Sequence, residues 1–309
     1  VARELIEWVH RNLQETTMFV HRPDARLFSL SFGQGPATLL ALGGWVGSGE
    51  VWFEVFGHLP DWRCVAYDHR GSGASTHSGA PITVAAQVDD LIAVMDAQGV
   101  QRCVLGAESA GAGIALEAAL RAPHRFDGLV LVGAGWSRPS AGAMDSFIAR
   151  LEADYDTELQ AFVDRCLPEP GSEDHRRWGL HVLRRAPLRH ALELIRCRDQ
   201  LTAQDHLRDI AQPTLVLHGE LDCISPLESA RSLAAALPDA ELHLLPGLGH
   251  VPIFTAAARV AGLIRQRFRA HADVADGHRF LGAASSGSGI SRSTTRRSRS
   301  ESSVASPRP

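Results

Sequence analysis

The chain has 309 residues, enough for two ordinary domains or for one large α/β domain carrying an insertion. Apolar residues make up 45% and charged residues 21%, a balance that buries a core and excludes disorder over most of the length. A net charge of −4 is too mild for a nucleic-acid partner. No uncharged apolar run approaches the roughly 18 residues that a membrane span needs.

No leader of the secretory type opens the sequence, so a cytoplasmic location is the expectation. The five cysteines (Cys64, Cys103, Cys166, Cys197 and Cys223) are odd in number, scattered and never in a CxxC pair. That spacing argues against a disulfide framework and against a zinc site, and it fits a reducing compartment. All 31 basic residues are arginine, which excludes Schiff-base and lysine general-base chemistry. Codon bias in a GC-rich genome is the simplest source of that pattern.

In chain order, Leu5, Val9 and Leu13 have the spacing of an amphipathic opening helix. Met18–Val20 and Arg26–Phe32 follow as strand-like runs around a Pro-Asp turn signal. Thr38–Leu42 (TLLAL) is continuously apolar, as a strand covered on both faces must be. Further strands are expected at Arg63–Tyr67, Arg102–Leu105, Gly128–Val132, Thr214–Leu217 and Glu241–Leu245. Helical periodicity fills Val84–Gln98, Ala110–Ala122, Leu227–Leu237 and Phe254–Ala270. Strands alternating with helices mean βαβ units and an α/β fold with a mostly parallel central sheet.

One interval breaks that rhythm. Between Val132 and Pro213 lie about eighty residues with helical spacing of Trp136, Phe147, Leu151, Phe162 and Ile195, among others, and no convincing strand. A connection of that length is too long for a plain loop and reads as an inserted helical cap. The expected division is therefore a core of residues 1–135 and 210–270, a cap of 136–209, and a tail of 271–309. From Ala283 the tail is Ser/Arg-rich, with five arginines against one glutamate. A passive solvated tail is the expectation there, ahead of one that binds an anionic surface.

The most informative stretch is Ala107-Glu108-Ser109-Ala110-Gly111, which puts a serine between an apolar strand and a helix with small residues two positions either side. A tight strand-to-helix turn needs those small flanks and lifts the hydroxyl to the sheet edge. A serine in that position can also be a plain helix N-cap. Asp222, in His218-Gly219-Glu220-Leu221-Asp222, follows a late strand and is the acid expected to orient a base, with Glu220 as competitor. His250 ends the Gly/Pro-rich loop Leu245–Gly249 after the last strand. An imidazole with an intrinsic pKa of about 6.5 is a natural acceptor for a serine proton. Fifteen histidines are present, so the argument for His250 is the order Ser109, Asp222, His250, each after its own strand.

With these residues in view, the sequence resembles the α/β-hydrolase superfamily from about Phe19 to Phe268. Leu42-Gly43-Gly44-Trp45 looks like the family's loop after the third strand, with Gly43 where a histidine usually stands. The resemblance implies an oxyanion hole from the backbone N–H groups of Trp45 and Ala110. Asp68-His69-Arg70-Gly71-Ser72-Gly73-Ala74-Ser75 matches the family's D-x-R-G-x-G-x-S loop. Its expected role is structural, with Asp68 and Arg70 bonded to backbone or to each other.

The implied activity is hydrolysis of a carboxylic ester or lactone of a small-molecule substrate, with no cofactor and no metal called for. Esterases, enol-lactonases and cofactor-free haloperoxidases of this layout are the nearest in kind. A perhydrolase or carbon–carbon bond hydrolase would use the same three residues, and a non-catalytic binding protein on this fold is the competing class. The arginines of the cap are expected on solvated helix faces, with a clamp for a substrate carboxylate as the sharper alternative.

Overall fold

The computed structural model describes residues 16–134 and 141–268. The expected opening helix, the tail, Trp136 and Arg138 lie outside the described residues.

The sheet is built from β1 (Thr16–His21), β2 (Ala25–Phe32), β3 (Thr38–Leu42), β4 (Arg63–Tyr67), β5 (Thr76–His77), β6 (Cys103–Glu108), β7 (Phe126–Val132), β8 (Thr214–Gly219) and β9 (Ala240–Leu245). Its order is β1-β2-β4-β3-β6-β7-β8-β9, with β5 paired to β2. The run from β4 to β9 is parallel, and β2 joins it antiparallel to β4. This is the expected mostly parallel α/β sheet. Two-residue β5 is too short to leave a periodic signal in the sequence.

The apolar strands are apolar because helices cover both faces. Along β3, Leu40 and Leu42 enter the core on one side, with Leu91, Leu105 and Leu116. Leu39 and Ala41 enter the other, with Trp52, Val130, Leu217 and Phe268. The helices are α1 (Phe53–Gly57), α2 (Val84–Ala97), α3 (Gly111–Arg121), α4 (Ala141–Ala153), α5 (Tyr155–Cys166), α6 (Glu173–Leu183), α7 (Leu188–Arg196), α8 (Leu227–Ala236) and α9 (Pro252–Thr255). The helix expected over Phe254–Ala270 is broken instead: α9 ends at Ala256 (φ −143, ψ 37), and a second helix covers residues 257–268. At the break, the Thr255 hydroxyl donates to Glu169 at 3.1 Å.

Between β7 and β8, α4 to α7 occupy the interval that the sequence marks as an insertion, and its described residues contain no strand. Local chemistry sets these helices. Asp154 caps α5 by accepting from the Thr157 N–H, and Pro187 precedes α7 in extended backbone.

The chain passes from β3 to β4 on one side and then crosses to β6 on the other, so β3 and β6 are parallel neighbours whose following loops diverge. Open α/β sheets hold ligands at such a reversal, outside the carboxyl ends of the strands. The loops starting at Gly43 and Ser109 meet there.

The Asp68–Ser75 loop departs from one expectation. Asp68 does bond backbone, accepting from Gly49 N–H at 2.8 Å and Ala74 N–H at 2.7 Å. Arg70 instead reaches two distant carboxylates, Asp90 at 2.6 Å and Asp24 at 2.8 Å. No spacing rule links residues so far apart in sequence.

Candidate active site

At the carboxyl end of β6 the backbone turns through Ser109 into α3, and Ser109 has φ +50. A non-glycine residue in the left-handed region is strained and needs its surroundings to hold it there. Those surroundings are tight: a Cβ on Gly111 would sit 2.5 Å from the Gly43 carbonyl oxygen. The small flank at +2 is thus a packing requirement. The turn aims the Ser109 hydroxyl out of the sheet.

His250 and Asp222 come to it from the loops after β9 and β8. The Ser109 hydroxyl lies 2.8 Å from Nε2 of His250, and Nδ1 of His250 lies 2.8 Å from Oδ2 of Asp222. A tautomer with its proton on Nδ1 satisfies both contacts: it donates to Asp222 and leaves Nε2 to accept from Ser109. Asp222 is fixed from behind, Oδ1 accepting from the N–H groups of Ile224 at 2.8 Å and Ser225 at 2.9 Å. The competitor Glu220 is exposed and accepts only a long bond from Gly247 N–H at 3.3 Å.

Burial works against charge on both partners, and their contact outweighs it. Burial raises the Asp222 carboxyl, but the hydrogen bond and charge of His250 hold it below its ordinary pKa. Burial lowers His250, but the bond and charge of Asp222, with Glu108 adding, carry it above the ordinary histidine value. The pair therefore favours imidazolium beside carboxylate, the state that follows proton capture from Ser109.

Two further groups escape sequence reasoning. β6 runs three residues beyond the expected Leu105, so Glu108 is its last residue. Its carboxyl is buried, with Oε1 3.6 Å from His250 Nε2. Burial pushes its pKa up, and the His250 charge and the Gly44 N–H only partly offset that. Gly44 has to be glycine here, because a Cβ would meet Glu108 Oε2 at 2.4 Å and Ser109 Cβ at 2.9 Å. The second group is His218, fully buried, with Nε2 3.6 Å from Asp222 Oδ2 and burial depressing its pKa. The only sequence signal for either was nearness to a candidate residue, Glu108 beside Ser109 and His218 four residues before Asp222.

The cleft above Ser109 is lined by Trp45, Phe162, Val163, Leu183 and Phe254, among others. Trp45 follows β3, its ring packed edge-on to Phe147 and Phe162 and its Nε1–H given to Ala191 O at 2.9 Å. Ala110 is the N-cap residue of α3. The insertion also holds the His250 loop: the His250 N–H donates to Cys166 O at 2.9 Å, and Glu169 accepts from Gly249 N–H at 2.6 Å. Among the described residues, no group of three or more His, Cys, Asp or Glu side chains could hold a metal ion. No helix among them is long and apolar enough to cross a membrane.

The family profile of the α/β-hydrolase fold matches residues 37–173. The chain is similar to a protein of Caulobacter sp. (strain K31) named "Putative carbamate hydrolase RutD", 33% identical over 231 residues that span 70% of this chain and 86% of the relative. Among solved structures it resembles an esterase from Exiguobacterium antarcticum, with a TM-score of 0.76 at 19% identity, covering 81% of this chain and 98% of that one. The enol-lactonase from Burkholderia xenovorans LB400 superposes with a TM-score of 0.76 at 17% identity, covering 82% of this chain and all of that one (100%). At those identities the two structures speak for the fold alone. From the profile match and the Caulobacter relative, this chain belongs to the α/β-hydrolase family.

Proposed function

We propose that the chain is a serine hydrolase that cleaves a carboxylic ester or lactone through an acyl-enzyme on Ser109. The observation that carries this reading is a strained serine whose hydroxyl lies 2.8 Å from an imidazole, itself 2.8 Å from a buried carboxylate. His250 takes the Ser109 proton as Oγ attacks the carbonyl carbon, and Asp222 stabilises the resulting imidazolium. The tetrahedral oxyanion accepts hydrogen bonds from the N–H groups of Trp45 and Ala110. As the intermediate collapses, His250 returns the proton to the leaving alcohol. Water then attacks the acyl-enzyme with His250 again as base, releasing the acid and restoring Ser109. Residues 136–209 act as the cap that gives the cleft its apolar wall over a core of 1–135 and 210–270.

A carbamate is the second reading, and Glu108 favours it. A carboxyl that burial biases toward its protonated form, beside the serine, can donate to a leaving nitrogen, which needs a proton more than an alkoxide does. The relative's printed name agrees with that chemistry.

Hydrolysis of p-nitrophenyl acetate, butyrate and octanoate, beside a nitrophenyl carbamate, tests both. Turnover of the esters that disappears in Ser109→Ala, with an unchanged unfolding midpoint, is the expected result. A Ser109→Ala enzyme that keeps its rate would sink the acyl-enzyme. A carbamate rate above the ester rates would move the second reading ahead.

A further inference from the structure

The arginines of the insertion are mostly neutralised by carboxylates. Arg150 and Arg165 share Glu158, Arg176 meets Glu173 and Asp164, and Arg184 meets Asp156. Arg177, Arg185 and Arg196 pair with Asp174, Glu50 and Glu152. Arg189 and Arg208 are exposed. Arg198 fits neither group. It is half-buried, and among the described residues no carboxylate lies within ion-pair distance of its guanidinium. Burial pulls its pKa below the ordinary arginine value, and the nearby Asp199 offsets that only in part.

The contrast with Arg70 is direct. Arg70 is buried against Asp90 and Asp24, and its pKa is driven up. A half-buried cation without such partners has lost part of its water, and an anionic group brought to it would supply the charge that Asp90 and Asp24 give Arg70.

Arg198 lines a second, partly open cavity beside the Gly43–Trp45 loop. Gly44 and Trp45 line both spaces. Gln87, Ala110 and Gly111 also face the second cavity, so the first turn of α3 turns its positive end toward the same volume. Ser109 lines the apolar cleft, and the second cavity adjoins it through the shared Gly44 and Trp45, with Arg198 as its one arginine.

We infer that the Arg198 cavity is a subsite for an anionic group on the substrate, a carboxylate matched to the guanidinium fork. This rests on the hydrolase reading above and narrows its substrate to esters or lactones that carry a second, free carboxylate. The carboxylate can belong to the acid half or the alcohol half of the ester. Arg198 acts in binding and takes no part in the proton transfers.

The test compares p-nitrophenyl hydrogen glutarate (carboxylate on the acid half) and 4-carboxyphenyl butyrate (carboxylate on the alcohol half) with p-nitrophenyl and phenyl butyrate. Each protein supplies its own ratio of kcat/KM for charged over neutral ester, so a general loss of activity leaves the ratio unmoved. In the wild type one charged ester is expected to exceed its neutral counterpart by about tenfold or more, and Arg198→Gln to bring that ratio close to one. Which ester gains says which half of the substrate the cavity takes. Equal ratios in the wild type, or a preference that survives Arg198→Gln, would overturn the inference.

A second arm needs no turnover. Monomethyl glutarate is titrated by calorimetry into Ser109→Ala and into Ser109→Ala with Arg198→Gln. Binding seen only with Arg198 present upholds the subsite even if no ester is hydrolysed, in which case the esterase reading alone falls. No binding to either protein counts against the subsite whatever the esters do.

Discussion

Arg70 and His250 are both buried among carboxylates, but the two sites are built in opposite ways. Around Arg70 the charges close on one another: Asp90 bonds it through both oxygens, Asp24 adds a second carboxylate, and Arg22 reaches Asp90 from outside. Around His250 they do not close. Asp222 takes Nδ1 of the ring, while Nε2 is left to Ser109 and to Glu108, at the floor of a cleft. A closed cluster holds two loops in register and has nothing left to offer a ligand. An open one keeps a base whose proton affinity is raised and whose free nitrogen points at the space where a substrate would sit.

Substitutions in both sites sharpen the contrast. The largest effect is expected from Asp222→Asn, which should lower kcat by about 10⁴ by favouring the wrong tautomer of His250. Glu220→Gln measured beside it should leave the rate alone. The opposite result would move the orienting acid to Glu220. In the closed cluster, Asp90→Asn should leave the chemistry of folded molecules intact and cost stability instead. Breaking a buried pair from one side typically costs about 3–5 kcal/mol, read from urea unfolding. Asp24→Asn should cost much less, because the Asp24 side chain is 36% exposed and its pairing is screened by water.

The smallest effect is a displacement in pH. His250 must be neutral to accept a proton, so kcat/KM rises with pH through its raised pKa. Glu108 contributes to that rise, so Glu108→Gln should move the acid limb to lower pH. Stability should change in a related way. A carboxyl whose folded pKa is raised supports the fold below its unfolded pKa of about 4.3, and that support is lost as pH climbs through the folded value. Glu108→Gln should therefore raise the unfolding midpoint more at pH 8 than at pH 4. An acid limb that does not move would show that Glu108 and His250 are not coupled.

The order of strands and helices was legible because each strand is short, apolar and bounded by turn chemistry. Ser109, Asp222 and His250 were legible for the same reason. Each follows its own strand, and the parallel sheet delivers all three to one edge. What escaped depended on contacts between distant segments. Asp90 meets Arg70 across 20 residues and Glu169 meets Gly249 across 80, and no local periodicity marks either pair. Arg198 was one arginine among many in the insertion. Only the pairing of its neighbours sets it apart. Glu108 was hidden by the end of β6, which the apolar pattern placed three residues too early.

The bonds from Cys166 and Glu169 to the His250 loop bear on how this enzyme could change over evolution or in the laboratory. Segments that cover a cleft are attractive units for exchange, since a new cover brings a new specificity to an old reaction centre. Here the cover and the His250 loop share two hydrogen bonds, one to the Cys166 carbonyl and one to the Glu169 carboxylate, and Gly249 lies so close to Pro168 that a Cβ would come within 2.3 Å of its ring. A chimera that imports a foreign segment through residue 169 would inherit the old imidazole without its anchor. The exchangeable unit is therefore smaller than the insertion, and new specificities are most accessible through the helices on either side of that tether.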